Sequence, residues 1–218
     1  MIRNVLKQGS VELGLQIPDE SVAVFEAFVQ ELKKWNRKIN LTAILDDRDI
    51  VIKHLLDSLV FAETIASGES VLDIGSGGGF PAIPLKIFRP DTPVVSVDAV
   101  GKKITFQRHV SRLLSLQQFE AVHARVEELH ISHAGQFDVI VSRAFSRLDL
   151  FVALAAPLLK TGGRIIAMKG PGVFGEYDGV TENLRRLGFE IGEIREYCLP
   201  MKRGERNLVT LRAVKPHE

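Results

Sequence analysis

The chain has 218 residues, of which 45% are hydrophobic and 25% charged, as in an ordinary globular protein. This length suits one α/β core with an appendage and excludes two full domains. The formal net charge of +1 gives no general attraction for nucleic acid, no run is apolar enough to span a bilayer, and Met1 to Ser10 lack the apolar stretch of a signal peptide. A single cysteine, Cys198, excludes an internal disulfide and favours the cytoplasm, and we expect its thiol to be buried and inert.

Two amphipathic helices are predicted before residue 70. The first runs from Pro18 with Asp19 as its N-cap, and its apolar positions are Val22, Phe25, Phe28, Leu32, Trp35 and Ile39. The second follows Asp47, ends at Gly68, and carries on its apolar face Ile50, Val51, Leu55, Leu59 and Ala62. Because neither helix can bury its apolar stripe alone, we interpret residues 1–66 as a helical extension of one compact domain formed by residues 67–218.

Short apolar runs alternate with helical stretches after residue 70. The predicted parallel strands are 71–74, 94–97, 119–122, 137–141 and 164–168, and the helices between them are 81–88, 102–116 and 148–159, the last ended by Thr161-Gly162-Gly163. A helix near 176–187 precedes two antiparallel strands, 189–197 and 207–213, joined by the polar loop 200–206. This outline predicts the α/β fold of class I (Rossmann-like) methyltransferases, a mostly parallel seven-stranded sheet with an antiparallel last strand.

The first predicted strand ends in a glycine-rich turn, Asp73-Ile74-Gly75-Ser76-Gly77-Gly78-Gly79-Phe80-Pro81. Residues without Cβ let a ligand approach the backbone, and a strand–turn–helix context suits a nucleoside-containing cofactor. A dinucleotide site prefers a small residue where Phe80 stands. The pattern D-x-G-x-G-x-G instead suits S-adenosylmethionine, because the carboxylate of Asp73 can face its amino-acid end. We favour S-adenosylmethionine; a nicotinamide dinucleotide and a glycine loop without a ligand stay open.

Polar residues after the second and third strands extend this candidate cofactor site. Asp98 follows the second strand, 23 residues after Gly75, where a carboxylate can accept hydrogen bonds from both hydroxyls of a ribose. The alternative is that Asp98 caps the helix that begins near Lys102. After the third strand, Val126 and Glu127 place polar backbone and a carboxylate where the adenine edge lies in a methyltransferase.

The fourth strand ends in Ser142-Arg143-Ala144-Phe145, in the loop that receives the substrate in Rossmann-like methyltransferases. Enzymes that methylate amines place hydrogen-bond acceptors there, because the amine must lose a proton. Arg143 offers only donors. This favours a nucleophile with an exposed lone pair and no proton to lose, such as guanine N7; an ion pair of Arg143 at the surface is the alternative.

The whole chain resembles the bacterial 16S ribosomal RNA guanine-N7 methyltransferases, the RsmG family, formerly called glucose-inhibited division protein B. The resemblance covers about residues 18 to 212 and rests on Trp35–Ile44, His54–Leu59, the glycine loop with Phe80-Pro81, Ser142–Phe145 and Met168–Gly170. Asn-Leu-Thr-Ala-Ile followed by His-x-x-Asp-Ser-Leu is specific to this family, whereas the glycine loop is not. Ala82 departs from the family, which more often has glycine there.

The resemblance implies transfer of a methyl group from S-adenosyl-L-methionine to N7 of a guanine in a loop of 16S rRNA. The product would be S-adenosyl-L-homocysteine, and no general base is needed. The RNA would be met in the small ribosomal subunit or an assembly intermediate, in the cytoplasm and away from membranes, by a protein that we expect to be a monomer.

Pattern and resemblance together assign the site residues. The catalytic residues would be Arg143 and His54, and the RNA-binding residues Asn40, Lys53, Arg125, Lys169 and Arg206. The cofactor would be bound by Asp73, Gly75, Gly77, Phe80, Asp98, Val126, Glu127 and Arg143, and no metal is expected. Three other functions stay open: a methyltransferase for small molecules or proteins, a non-catalytic RNA-binding assembly factor, and a nicotinamide oxidoreductase.

Overall fold

The computed structural model describes residues 1–145, 147–171 and 179–214. Its centre is a seven-stranded sheet in the order β3-β2-β1-β4-β5-β7-β6. The strands are β1 (Val71–Ile74), β2 (Val94–Asp98), β3 (Phe119–His123), β4 (Phe137–Ser142), β5 (Leu159–Lys169), β6 (Phe189–Cys198) and β7 (Glu205–Ala213). The strand β7 pairs antiparallel with both β5 and β6, and the other neighbouring pairs of this sheet are parallel. The predicted class I outline is therefore confirmed.

Helices cover both faces of the sheet and enclose one hydrophobic cluster on each side. On the first face lie α1 (Ile2–Glu12), α2 (Asp19–Asn36), α3 (Asp47–Ile50), a π-helical turn (Val51–Leu56), α4 (Asp57–Ala62), α5 (Ala82–Phe88) and α6 (Gly101–Leu113). On the second lie α7 (Leu129–Ser132), α8 (Leu148–Ala155) and α9 (Thr181–Arg186). In the ranges described above, no helix combines the length and the apolarity that crossing a bilayer requires.

The N-terminal helices share their core with the sheet. Leu6, Phe25 and Phe61 are fully buried in the same cluster as Val71 of β1 and Val139 of β4. Apolar stripes on short helices contribute stability only when a partner surface covers them, and here the sheet supplies that surface. The division at residues 66 and 67 stays a prediction.

The N-terminal region differs from the sequence-based prediction in three places. Helix α1 was not predicted. Asp19 is not the N-cap of α2: Pro18 occupies that position, and the Asp19 carboxylate instead pairs with Lys7 Nζ at 2.6 Å. The second predicted helix begins as expected, after the Asp46 side chain accepts a hydrogen bond from its first turn, but it ends at Ala62. Gly68 lies six residues further, in a turn with a φ of +83°.

The C-terminal half also contains corrections. The predicted helix 148–159 ends at Ala155, since Pro157 disfavours α-helix in the residue before it, and a 3₁₀ turn follows. Thr161-Gly162-Gly163 lies within β5 and does not end that helix. Helix 102–116 stops at Leu113, and of the predicted helix 176–187 residues 176–178 lie outside the described residues. Cys198 is exposed at the end of the edge strand β6, so the expected burial is wrong.

Candidate active site

A cavity of about 250 Å³ opens where β1, β2 and β3 end. Its lining includes Gly75 after β1, Asp98 at the end of β2, and Val126 and Glu127 after β3. Carboxyl ends of parallel strands meet at one edge of the sheet, which brings these residues together across 52 positions of sequence. Four predicted cofactor residues therefore line one cavity. Arg125, predicted to face RNA, lines it as well.

The glycine loop needs its glycines at two positions beside this cavity. Gly75 has a φ of +72° and Gly77 a φ of +58°, in the left-handed region that side chains disfavour. A Cβ at Gly75 would lie 2.9 Å from Cβ of Ala144, because the loop passes close to the residues that follow β4. A Cβ at Gly77 would meet no atom within 4 Å, so the backbone there borders open space.

The carboxylate of Asp98 joins the glycine loop to the start of α6. Its Oδ2 accepts a hydrogen bond from the backbone N–H of Gly77 at 2.9 Å, and its Oδ1 accepts one from Val100 at 2.8 Å. Val100 is the N-cap residue of α6, and no side chain caps this helix, so Asp98 contacts the residue before the helix without capping its first turn. Each oxygen has a second lone pair, which leaves acceptor capacity for a ligand hydroxyl.

Asp73 is completely buried and does not line the cavity. Its Oδ2 accepts a hydrogen bond from the backbone N–H of Ala82 at 3.1 Å, which ties β1 to the start of α5. Its Oδ1 has no hydrogen-bond partner among the residues that the structure describes. Burial raises the pKa of this carboxyl well above its ordinary value.

Arg143 and His54 meet above the ring of Phe80. An Nη of Arg143 donates to the carbonyl of Lys53 at 3.2 Å and lies 3.4 Å from Nδ1 of His54. The His54 ring stacks on Phe80 with centroids 4.4 Å apart, and the Arg143 guanidinium lies 5.9 Å from the same ring. Phe80 itself is 6% exposed and packs on Phe28, so its ring forms the floor of this cluster and does not line the cavity.

His54 is a neutral imidazole with both nitrogens engaged. Burial, followed by the charge of Arg143, lowers its pKa from 6.5 to about 3. Since arginine can only donate, Nδ1 accepts, and Nε2 therefore carries the proton and donates to Oγ1 of Thr42 at 2.7 Å. The ring holds Arg143 to the loop before α3.

The predicted RNA-binding residues lie at different distances from this cluster. Lys53 contributes its carbonyl to Arg143, while its ammonium pairs with Asp49 at 2.9 Å. Lys169 Nζ donates to the carbonyl of Phe145 at 2.9 Å, two residues after Arg143. Arg206 lies near the carboxylate of Asp57, which also pairs with Arg143. Asn40 is exposed and lines a second cavity of about 540 Å³ beside the end of α2, together with Thr42, the partner of His54.

Three contributors are not among the predicted site residues. Asn36 accepts hydrogen bonds from the backbone N–H groups of Leu41 and Thr42 at 2.8 and 3.0 Å and thereby fixes the loop that bonds His54. Asp57 and Tyr197 form a partly buried hydrogen bond of 2.6 Å across 140 positions. The His-x-x-Asp spacing places Asp57 about one helical turn after His54, but no sequence pattern indicates Tyr197.

The seven-stranded sheet with a reversed β7, and the cavity between its glycine loop and the acid after β2, define a protein of the class I methyltransferase fold. Residues 21–209 match the family of rRNA small subunit methyltransferase G, GidB. The protein of that name from Geotalea uraniireducens (strain Rf4) is 52% identical over 212 residues, which cover 97% of each chain. This chain therefore belongs to the rRNA small subunit methyltransferase G family, and the resemblance found in the sequence is confirmed.

Solved structures with little sequence similarity share the fold. P. horikoshii TYW2 in complex with MeSAdo has a TM-score of 0.60 and 15% identity, over 74% of this chain and 63% of that one. A mutant of the 16S rRNA (adenine(1408)-N(1))-methyltransferase from Catenulisporales acidiphilia has a TM-score of 0.56 and 16% identity, over 74% and 93%. At these identities the likeness extends to the fold alone.

Proposed function

We propose that this chain transfers a methyl group from S-adenosyl-L-methionine to N7 of a guanine in 16S rRNA, leaving S-adenosyl-L-homocysteine. The family supports an rRNA substrate. The observation that carries N7 as the nucleophile is the state of His54. Its pKa is held at about 3 and both ring nitrogens are engaged, so the residue beside Arg143 is not an available general base.

Two features of the cavity after β1–β3, and one buried group outside its lining, fit S-adenosylmethionine. Asp98 has acceptor capacity for ribose hydroxyls, and Val126 and Glu127 line the same cavity, where the adenine edge would contact them. Beneath the glycine loop, the buried Oδ1 of Asp73 lacks a donor in the described part of the chain, which fits an ammonium group nearby. When bound, the cofactor supplies an electrophilic methyl group.

The main contribution of the protein to this reaction would be to position the two reactants. N7 of guanine exposes a lone pair and carries no proton, so nucleophile, carbon and sulfur need only be held in line. Correct orientation alone can supply on the order of 7–11 kcal/mol. A donor from Arg143 on N7 would occupy the attacking lone pair, so we assign its donors to guanine O6 or to a phosphate. Neutral His54 and the Phe80 ring hold the guanidinium in place.

The charge distribution supports recognition of a shaped RNA surface. The net charge of +1 provides little general attraction, but Arg143, Lys169 and Arg206 gather near the end of β4. The target base must leave its stack to reach the methyl group, which favours a loop of the small subunit or of an assembly intermediate. Action on ribosomal RNA would place the protein in the cytoplasm, and because one chain supplies every residue named here, we expect a monomer.

The deciding experiment uses methyl-labelled S-adenosylmethionine and separated ribosomal subunits reconstituted from unmodified RNA. We expect label on small-subunit RNA, with a strand break at one guanosine after borohydride and aniline, and none on large-subunit RNA or GTP. Arg143→Ala should lose this label. Label on ribosomal proteins or on GTP alone would overturn the RNA assignment, and cofactor binding without transfer to either subunit would support a non-catalytic assembly factor.

A further inference from the structure

Two arginines of the candidate active site share one buried carboxylate. Asp57, the first residue of α4, is 2% exposed. Its Oδ2 lies 3.6 Å from an Nη of Arg143 and 3.9 Å from Nε of Arg206. The hydroxyl of Tyr197, in β6, donates a hydrogen bond to Oδ1 at 2.6 Å. One side chain of the N-terminal helices thus joins the loop after β4 to the β6–β7 hairpin.

Both contacts between the arginines and Asp57 are longer than a hydrogen bond, and their length determines the kind of interaction. At 3.6 and 3.9 Å the attraction is electrostatic, and it does not consume the N–H donors. Nη1 of Arg143 is buried and has no hydrogen-bond partner within the described ranges. The carboxylate can therefore fix the position of this guanidinium without using its N–H donors.

The position of the carboxylate depends in turn on Tyr197. A carboxylate removed from water is strongly destabilised unless it is paired and hydrogen-bonded, and two guanidinium groups with one phenol meet that need together. Burial and the negative charge of Asp57 raise the pKa of the Tyr197 hydroxyl, which therefore stays a donor. Without that hydroxyl, Oδ1 would lose its donor and the carboxylate could rotate away from the arginines.

We propose that Asp57 and Tyr197 form a positioning pair that holds Arg143 and Arg206 in the arrangement needed to bind the target nucleotide. The pair touches neither substrate nor cofactor and acts through the two arginines. The inference rests on the proposed function, because the reaction it serves is methyl transfer to RNA. A purely structural pair that joined the helices to the hairpin would make the same contacts. The test must therefore distinguish an effect on the position of the arginines from an effect on the stability of the fold.

Two variants alter the pair with little change in shape. Tyr197→Phe keeps the ring and removes only the hydroxyl, while Asp57→Asn keeps an acceptor for Tyr197 and removes the charge. Asp138→Asn is the matched control. The Asp138 carboxylate accepts two hydrogen bonds from Ser70 and pairs with Lys160 at 2.7 Å, but it lies near the amino end of β4, away from Arg143.

The measurements are the single-turnover rate, the KM for reconstituted small subunits, the Kd for S-adenosylmethionine and the Tm. We expect Tyr197→Phe to lower the rate about tenfold and raise KM about threefold, with the cofactor Kd within about twofold of wild type. Asp57→Asn should lose more in both rate and KM. Asp138→Asn should lower Tm, while its rate and KM stay within about twofold of wild type well below its Tm.

Each other outcome is decisive as well. Rates and KM values within about twofold of wild type in both pair variants would overturn the inference, as would an equal loss in Asp138→Asn. If Asp57→Asn does not fold, Tyr197→Phe decides alone. If the wild type itself forms no N7-methylguanine on small subunits, the proposed function fails first and the inference fails with it; an active wild type with unaffected variants removes only the inference.

Discussion

The carboxylate of Asp98 accepts a hydrogen bond from the backbone N–H of Gly77 at 2.9 Å, so the acid at the end of β2 is fixed to the glycine loop after β1. The two residues are 21 positions apart, and they meet because β1 and β2 are parallel neighbours whose carboxyl ends lie side by side. A ribose bound there would meet a carboxylate whose orientation is already set. Preorganisation of this kind reduces the entropy lost on binding.

Asp98→Ala should weaken the binding of S-adenosylmethionine by about 1.5–3 kcal/mol, which is the loss of charge-assisted hydrogen bonds. Isothermal calorimetry measures the affinity directly. Glu120→Ala, which removes an exposed acid from the neighbouring strand β3, is the control and should bind like wild type. Equal affinities for wild type and Asp98→Ala would remove Asp98 from the ribose site.

Gly77→Val should abolish measurable cofactor binding, because its side chain would project into the open space beside the cavity. Gly14→Val is a matched control, since Gly14 also has a positive φ, +72°, and a Cβ there would likewise meet no atom within 4 Å. Both variants should lose on the order of 1–2 kcal/mol of stability through left-handed strain. Cofactor titrations then separate them: binding retained in Gly77→Val would show that the cofactor lies elsewhere.

Arg143→Ala should slow single-turnover methyl transfer by about 2–4 kcal/mol in activation free energy, because a preorganised donor beside the reacting atoms is lost. Arg143→Lys should rescue little, since a point charge cannot replace the planar guanidinium that contacts Lys53, His54 and the Phe80 ring. Arg195→Ala, which removes a partly exposed arginine of β6, should transfer at the wild-type rate. Full rescue by lysine would show that only the positive charge of Arg143 is needed.

The rate of methyl transfer should be nearly independent of pH. Because N7 has no proton to lose, single-turnover rates should change less than about threefold between roughly pH 6.5 and 8.5. His54→Ala should lower the rate through a displaced Arg143 and leave the profile flat. A wild-type rate that rises about tenfold per pH unit in the acid limb, and a flat profile in the variant, would identify His54 as a base and overturn the N7 assignment.

His54 should also make the stability of the fold sensitive to acid. Its pKa is about 3 in the folded protein, whereas in the unfolded chain it lies near 6.5. The unfolded state therefore takes up a proton first, and the contribution of neutral His54, complete above pH 6.5, is lost as the pH falls toward 3. Relative to His54→Gln, wild type should lose roughly 1.4 kcal/mol per pH unit below about pH 6.5 in denaturant titrations. Parallel curves for the two proteins would contradict this.

The sheet and the cavity at its carboxyl edge were predictable because their signals are local. Short continuous apolar runs, typical of strands buried on both faces, predicted β1 to β5. The tight turn after β1 requires residues without Cβ, which agrees with the positive φ of Gly75 and Gly77. The position of Asp98 follows from the rule that parallel strands end at one edge. The helix ends were less predictable. Aspartate is a residue type common at N-caps, but the carboxylate of Asp19 pairs with Lys7 of α1.

By itself, the sequence determined the class of fold, the family, and which loops gather at the carboxyl edge of the sheet, because each depends on spacing along the chain. Only the tertiary structure decided that His54 is neutral, since its pKa depends on burial and on Arg143, 89 positions away. It likewise decided that Asp57 meets Tyr197 and two arginines, and that Cys198 is exposed. Such contacts join residues far apart in the chain, and no local periodicity encodes them.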